Sequence, residues 1–295
     1  MSIQERRISV EPMDEISEKN KEKNRQHYNK LYADYSIRNI LIWLKDLDGF
    51  LKGASSTETS WHALYQDGFK DRLEGKMVME MGCGDCVNAA IMAGLGAKVY
   101  ANDIAEASGE IIQKLNNSWN FKYPIKFIAG DFLNNELESE NFDFVIGKAF
   151  LHHLTLPEEK DFLRETTRLL KENGEARFFE PAVNSRILDE IRWHIPVKGR
   201  PSKFHGKEFA EWKENDPHPD RSFSSSHFRK AGAVFFEQIN IIPVGTLERF
   251  NRLIPRGNRN IKFRKWALKA EKKLPFFLNE YLTRSQLIVY KKPIR

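Results

Sequence analysis

Short apolar runs alternate with helical segments through the middle of this chain, and this alternation constrains the fold more than any other feature. The apolar runs predict strands at residues 77–81, 97–101, 125–129, 142–147, 175–179, 235–244 and 286–290. Strands that alternate with helices form parallel sheets with right-handed crossovers. The sequence therefore predicts an α/β protein with a doubly wound, mostly parallel sheet.

The other segments predict additions to this sheet. The charged N-terminal residues lack an apolar core, which is typical of a flexible leader. In the next segment, residues 53–57 are expected to break one helix and residues 60–73 to form a second. We divide the chain into a flexible leader (1–24), a helical cap (25–74), a core (75–180), a lid insertion (181–232) and a C-terminal completion of the sheet with a basic helical insert (233–295).

Composition excludes several other classes of protein. Apolar residues make up 41% and charged residues 30% of the 295 residues, as in ordinary globular proteins, and no apolar run could span a membrane. The two cysteines, Cys83 and Cys86, are too few for a disulfide scaffold, which favours a reducing compartment. We therefore expect a cytoplasmic protein.

A loop containing Glu80, Gly82 and Gly84 follows the first predicted strand and leads into a helix. Glycines at such a turn let a ligand lie against the main chain. The dinucleotide fingerprint has a third glycine where this chain has Val87, so a pyrophosphate ligand is disfavoured. A carboxylate beside the loop instead suits a ligand that carries an ammonium or sulfonium group.

Acidic residues also follow the next two predicted strands. Asp103 lies about 20 residues after the glycines, as expected of a carboxylate that accepts ribose hydroxyls. Asp131 could accept the exocyclic amine of adenine, with Phe132 against the ring. One acid at a strand end often only caps a helix or turn. Three acids at consecutive strand ends, where α/β sheets bind ligands, favour a nucleoside site.

On these residues, the segment from 75 to 181 resembles the class I S-adenosylmethionine-dependent methyltransferase family, especially its small-molecule branch. The match lies in the glycine loop, in Asp103 and Asp131, and in the fourth strand with the loop that follows it. The resemblance implies a Rossmann-like sheet of seven strands, an antiparallel last strand and S-adenosylmethionine as the cofactor. It implies cofactor contacts from Glu80, Gly82, Cys83, Gly84, Asp103, Ile104, Asp131, Phe132, Gly147 and Lys148. Lys148 departs from the family, in which small residues are usual at this position.

The candidate catalytic residues follow the fourth and fifth strands. Methyl transfer from a sulfonium is an in-line displacement that depends mainly on positioning, and a base is needed only for a protonated acceptor. Histidine side chains ordinarily titrate near neutrality, which makes His152 and His153 candidates for that base. Glu180 is a third candidate for the base. Each of the three could equally cap a helix or pack in the core.

The acceptor is expected to contact the cap and the lid. Aromatic and cationic side chains suit a planar or anionic small molecule. The predicted substrate-binding residues are Tyr28, Tyr32, Arg192, Trp193, His194 and His227. We predict methyl transfer to an O, N or C atom of a small molecule in metabolite biosynthesis. The alternatives are a protein of the same fold that acts on nucleic acid or on a lipid at a membrane surface, and a scaffold that binds the cofactor without turnover.

Other interpretations of the cysteines and histidines remain open. Cys83 and Cys86 could form a redox pair, or could join the two histidines after the fourth strand in a zinc site. Three lid histidines could hold one metal ion: His205, His218 and His227. We predict no bound metal and expect the two thiols to pack beside the cofactor.

Positive charge is concentrated at the C-terminus. Residues 246–295 contain fourteen Lys or Arg and three Glu, in a chain of net charge +6. Residues 261–274 predict a basic amphipathic helix, which could lie on an anionic membrane surface or, as we favour, pack on the protein body. Its apolar face comprises Phe263, Trp266, Ala267, Ala270 and Leu274. We expect no nucleic acid partner, because no interleaved aromatic and basic motif is present. The sequence does not determine the oligomeric state.

Overall fold

A seven-stranded sheet runs through the computed structural model, which describes residues 13–197, 199–215 and 222–295. The strands are β1 (Met77–Met81), β2 (Lys98–Asp103), β3 (Lys126–Ala129), β4 (Phe142–Lys148), β5 (Leu170–Pro181), β6 (Phe236–Val244) and β7 (Ser285–Pro293). Their order is β3, β2, β1, β4, β5, β7, β6, and β7 is antiparallel to both of its neighbours. The predicted doubly wound sheet of seven strands with an antiparallel last strand is confirmed.

Helices flank this sheet and extend it at both ends of the chain. In the described residues they are α1 (Met13–Tyr32), α2 (Arg38–Lys45), α3 (Leu47–Thr57), α4 (Thr59–Leu64), α5 (Val87–Gly94), α6 (Glu106–Ser118), α7 (Leu156–Leu169), α8 (Arg186–His194), α9 (Gly206–Asn215), α10 (Ser225–Gly232), α11 (Asn258–Ala270) and α12 (Phe276–Leu282). Within the described ranges, no helix is both long and apolar enough to cross a bilayer.

Helices cover both faces of the central strands, as is usual for a mostly parallel sheet. The outer strand β3 and much of β6 are exposed or half-buried. Val78 and Met79, consecutive in β1, belong to two different hydrophobic clusters. The first cluster contains Ile40 of α2 and Ile91 of α5. The second contains Phe162 of α7 and other residues that follow it in the chain. The two layers fix the strands, and thereby the positions of the loops that follow them.

Helix α1 corrects the predicted flexible leader. Residues 13–24 belong to this helix, while residues 1–12 lie outside the described residues. Asn20 donates a hydrogen bond to the carbonyl oxygen of His153, and Lys21 forms an ion pair with Asp131. A polar helix held by such contacts leaves little apolar periodicity in its sequence, which is why the pattern indicated a leader.

The helical cap also differs from its prediction. The expected break at 53–57 lies inside α3, where the hydroxyls of Ser56 and Thr57 donate to the carbonyl oxygen of Gly53. The second cap helix, expected over 60–73, is the shorter α4. Asp67 and Gly68 have φ values of +58° and +66°, and this left-handed backbone interrupts the predicted helix.

Two further segments differ in detail from the expected pattern. Strand β5 is longer than the predicted strand at 175–179, because it begins at Leu170, directly after α7 ends at Leu169, and has an irregularity before Glu175. The lid, residues 181–232, contains α8, α9 and α10 in its described part. In α11, Ala267 is buried but Trp266 is 58% exposed, so the predicted apolar face is only partly covered.

Candidate active site

A cavity of about 290 Å³ opens at the carboxyl ends of β1, β2 and β4. This is the edge at which open α/β sheets bind ligands. The loops after the strands form its floor, and residues 20, 21, 24, 28 and 32 of α1 line one side. The cavity is lined by all the predicted cofactor residues except Gly147, which lies in β4 against the ring of Phe178.

The loop after β1 adopts a backbone conformation that favours glycine. Gly82 has φ +61° and Gly84 has φ +53°, both in the left-handed region. A Cβ on Gly82 would clash with the ring of Phe150, and one on Gly84 would lie 3.0 Å from the Tyr32 hydroxyl oxygen. These glycines therefore allow both the sharp turn and the close packing of the cavity wall.

Glu80, near the end of β1, is a buried carboxylate on the cavity. Its Oε1 accepts a hydrogen bond of 2.8 Å from Asn88 Nδ2, and the Asn88 side chain is held by the hydroxyl of Tyr65. Its Oε2 has no hydrogen-bond partner among the described residues. Burial raises the pKa of Glu80 to about 8, although Asn88 and the charge of Lys148 oppose this shift. Glu80 can therefore offer one free acceptor to a cationic ligand.

Asp103, at the end of β2, is held by the backbone on both oxygens. Gly84 N donates to Oδ2 at 2.8 Å, and Ala105 N donates to Oδ1 at 2.9 Å. Burial raises the pKa of this carboxyl group, against the hydrogen bonds that stabilise its charge. Asp103 thus ties the glycine loop to the end of β2, and its remaining lone pairs are available to two hydroxyls.

Asp131, after β3, caps the turn that follows it and contacts α1. Its Oδ1 accepts from Leu133 N at 3.0 Å, and its Oδ2 accepts from Lys21 Nζ at 2.8 Å. Phe132 is buried, and its ring stacks on Phe162 at a centroid distance of 5.2 Å. The predicted adenine side of the cavity is therefore closed by a cation from α1.

Glu180 organises the loop after β4. Its Oε1 accepts from the backbone N–H groups of Phe150 and Leu151, at 2.8 and 2.7 Å, and its Oε2 lies 2.8 Å from His152 Nδ1. Glu180 is fully buried and does not line the cavity. Glu180 is therefore a positioning residue. It connects β5 to the loop after β4 and orients the His152 ring.

Of the two neighbouring histidines, His153 is the one on the cavity. Its ring lies 4.3 Å from that of His152 and 5.9 Å from that of Tyr28, measured between centroids. Lys148 also lines the cavity, and its Nζ lies 5.0 Å from the centre of the Trp61 ring. The loop after β4 thus presents a titratable ring and a cation on the same cavity.

The predicted substrate residues divide between two places. Tyr28 and Tyr32 line the cavity and stack on each other at 5.7 Å. The four lid residues Arg192, Trp193, His194 and His227 do not line it. Arg192 stacks on Trp193 at 4.1 Å, His194 packs on Phe204, and His227 Nε2 contacts Glu159. The lid side chains are therefore engaged with one another and with α7.

The two cysteines lie beneath the glycine loop. Both are buried free thiols, with their Sγ atoms 3.6 Å apart. Burial raises the pKa of each thiol, which disfavours the reactive thiolate. The described residues contain no group of three or more His, Cys, Asp or Glu that could hold a metal ion. Of the three lid histidines, His218 lies outside the described residues.

Several residues that line the cavity are absent from the sequence-based prediction. They are Asn20, Lys21, Asn24, Asp85, Asn88, Asn102, Ala149, Phe150, Leu154, Glu158 and Phe162. The first three lie in the segment that was expected to be a leader. Their spacing from Tyr28 and Tyr32 is helical, so extending that period towards the N-terminus would have included them.

Residues 79–178 match the sequence profile of the family described as a methyltransferase domain. This segment is about a third of the 295 residues, and the match confirms the predicted resemblance to a methyltransferase domain. The cofactor residues predicted from Glu80 to Lys148 lie inside the matched segment. The cap, the lid and the C-terminal residues lie outside it. No curated protein sequence matches this chain.

Solved structures share the fold of this chain at low sequence identity. Phosphoethanolamine N-methyltransferase 2 of Haemonchus contortus, bound to phosphomonomethylethanolamine and S-adenosylhomocysteine, is 12% identical with a TM-score of 0.51. The alignment covers 80% of this chain and 52% of that enzyme, so this chain spans about half the length of the Haemonchus contortus enzyme. Geranyl diphosphate C-methyltransferase of Streptomyces coelicolor, also 12% identical with a TM-score of 0.51, is aligned over 88% of this chain and 85% of its own.

Proposed function

We propose that this protein is an S-adenosylmethionine-dependent methyltransferase that modifies a small-molecule acceptor in metabolite biosynthesis. The observation that carries the proposal is the placement of Glu80, with an unpartnered Oε2, and Asp103 on one cavity at the carboxyl edge of the sheet. A carboxylate with a free acceptor suits the cationic methionine end of the cofactor, and Asp103 suits the ribose hydroxyls. Lys148, on the same cavity, suits the methionine carboxylate.

The residues of the chain would act mainly by positioning. The bound cofactor supplies a methyl group on a sulfonium, ready for in-line displacement. The glycine loop and α1 would enclose the cofactor and shield it from solvent. The loop after β4, which Glu180 fixes in place, would set the direction from which the acceptor approaches the methyl group. His153 is the residue placed to take a proton from an acceptor hydroxyl or amine, because its ring reaches the cavity.

The size and enclosure of the cavity support a small acceptor. Helix α1 lies against the side where a large polymer would need access, and Asn20 and Lys21 tie it to the loops after β3 and β4. Two enzymes with this fold have been crystallised in complex with small anionic molecules, phosphomonomethylethanolamine and geranyl diphosphate. An anionic or aromatic acceptor is therefore the class that we propose.

The transfer of label tests this proposal. The purified protein is incubated with S-adenosylmethionine labelled in its methyl group and with a heat-treated cell extract that contains small molecules, nucleic acids and lipids, and the products are separated by size and polarity. We expect label in a low-molecular-weight product, and none with an Asp103→Ala variant. Label in nucleic acid or lipid would contradict a small acceptor. Binding of the cofactor without transfer would favour a scaffold.

A further inference from the structure

A second cavity lies on one face of the sheet, across β5, β7 and β6. It is lined by Arg177 of β5, Gln238 and Asn240 of β6, and Lys291 of β7, with Arg72 from the segment after α4. The strand pairing brings these groups together. Arg177 pairs with Val289, which pairs with Asn240, and Glu175 pairs with Lys291, which pairs with Gln238. We call these residues, with Glu175, the arginine groove.

Three cations of the arginine groove share a single buried carboxylate. Glu175 Oε1 accepts from Arg177 Nη1 at 2.6 Å and from Arg72 Nη2 at 2.9 Å. Its Oε2 accepts from Arg72 Nη1 at 3.0 Å and lies 3.2 Å from Lys291 Nζ. A carboxylate has about four acceptor positions, so Glu175 is saturated by these contacts. Asp67, the other acid that lines the cavity, is exposed at its rim.

The guanidinium groups of Arg177 and Arg72 retain N–H donors that no acceptor satisfies among the described residues. Arg177 is 2% exposed, yet its Nε and Nη2 have no hydrogen-bond partner among the described residues, and the same is true of Arg72 Nε. Both guanidinium groups lie over the ring of Phe69, at 4.5 and 5.3 Å, so their positions are fixed by packing. Buried donors without acceptors are costly, and a bound oxyanion would satisfy them.

We propose that the arginine groove binds a small oxyanion, either free phosphate or the phosphoryl group of a small phosphorylated molecule. The surplus of positive charge attracts the anion, and the unpartnered N–H groups of Arg177 and Arg72 donate to its oxygens. Lys291 adds a third cation, and the amides of Gln238 and Asn240 on the exposed strand β6 complete the rim. This site is separate from the one that binds the cofactor.

Calorimetric titration tests the proposal directly. Inorganic phosphate and glycerol 3-phosphate are titrated separately into the full chain, saturated with S-adenosylhomocysteine so that the active site is occupied, at low ionic strength. We expect binding by at least one of them, and equal or tighter binding of the monoester would identify a phosphorylated molecule as the source. Lys291→Gln should weaken binding by about tenfold, as expected for the loss of one charge-assisted contact.

Matched variants separate a built site from general attraction to a basic surface. Lys292 is the next residue, is similarly exposed, and pairs with Glu237 outside the arginine groove, so Lys292→Gln should bind as the wild type does. Arg177→Gln should abolish binding. If its thermal unfolding shows that it does not fold, Arg72→Gln replaces it with the same expectation. No binding at millimolar concentrations, or equal binding by Lys291→Gln and Arg72→Gln, would overturn the proposal.

Discussion

Glu80 and Asp103 are two buried carboxylates on one cavity, but their hydrogen bonds differ. Asp103 accepts from two backbone N–H groups, which hold it in place with or without a ligand. Glu80 accepts only from Asn88, and its second oxygen is unpartnered among the described residues. Its pKa, raised to about 8 by burial, lies close to physiological pH. Glu80 is therefore the group whose charge responds to a cationic ligand.

Binding of S-adenosylmethionine should release a proton from Glu80. Below pH 8 the carboxyl group is mainly protonated in the free protein, and a ligand with a sulfonium and an ammonium favours the carboxylate. We expect the affinity to rise from pH 6 to pH 8 and then to level off. Calorimetry in buffers of different ionisation enthalpy measures the proton directly. Glu80→Gln should remove the pH dependence, and a wild-type affinity that is flat over this range would contradict the assignment.

The same pKa shift predicts how stability depends on pH. The folded pKa of Glu80 is raised from 4.5 to about 8, so its neutral form is favoured by folding. The contribution of Glu80 to the free energy of unfolding is fully present below pH 4.5. It is lost as pH rises towards 8, by at most about 1.4 kcal/mol per pH unit. In urea unfolding of the ligand-free protein, the free energy of unfolding should fall less steeply with rising pH for Glu80→Gln than for the wild type. Parallel curves for the two proteins would show that Glu80 does not titrate in this range.

At the scale of elements, the loop after β1 and the cap helices differ in what fixes them. The loop needs glycine, since Gly82 has a left-handed φ and the Phe150 ring occupies the space of a Cβ. Gly53 in helix α3 could be replaced by a larger residue, because nothing lies within 4 Å of a Cβ placed on it. The two positions therefore form a matched pair for testing the role of the loop.

Replacing these glycines by alanine should have opposite effects. Gly82→Ala is expected to lose measurable cofactor binding and to destabilise the fold, because the backbone is strained and Phe150 must move. Gly53→Ala should stabilise the protein by about 0.5–1 kcal/mol, since alanine is the better helix former. Thermal unfolding and cofactor titration of both variants check this. Normal binding by Gly82→Ala would show that the loop does not shape the site.

The elements that the sequence predicted best are those with a local apolar signal. All seven strands were predicted, because each contains a short apolar run in the sequence, and the strand-end acids Glu80, Asp103 and Asp131 follow from their position. Helix α1 was missed, because its position depends on contacts such as that of Lys21 with Asp131. The role of Glu180 as an anchor could not be inferred either, since its partners Phe150 and Leu151 are distant in sequence and bind through their backbone.

At the scale of the whole molecule, the sheet carries two separate sites. The carboxyl ends of the parallel strands carry the cofactor cavity, and one face of β5, β6 and β7 carries the arginine groove. The cap closes the first site with polar side chains, while the lid packs its aromatic and cationic residues mainly against itself. The lid residues chosen from composition alone are therefore not on the cavity, although residues of the cap are.

A crystal structure of the protein with S-adenosylhomocysteine tests the central claim most directly. We predict that the nucleoside lies at the carboxyl ends of β1 and β2, with the ribose hydroxyls within hydrogen-bonding distance of the Asp103 carboxylate. The amino group of the homocysteine moiety should lie near Glu80 Oε2, and the adenine should lie beside Phe132. A nucleoside bound elsewhere, or a ribose that makes no contact with Asp103, would contradict the account.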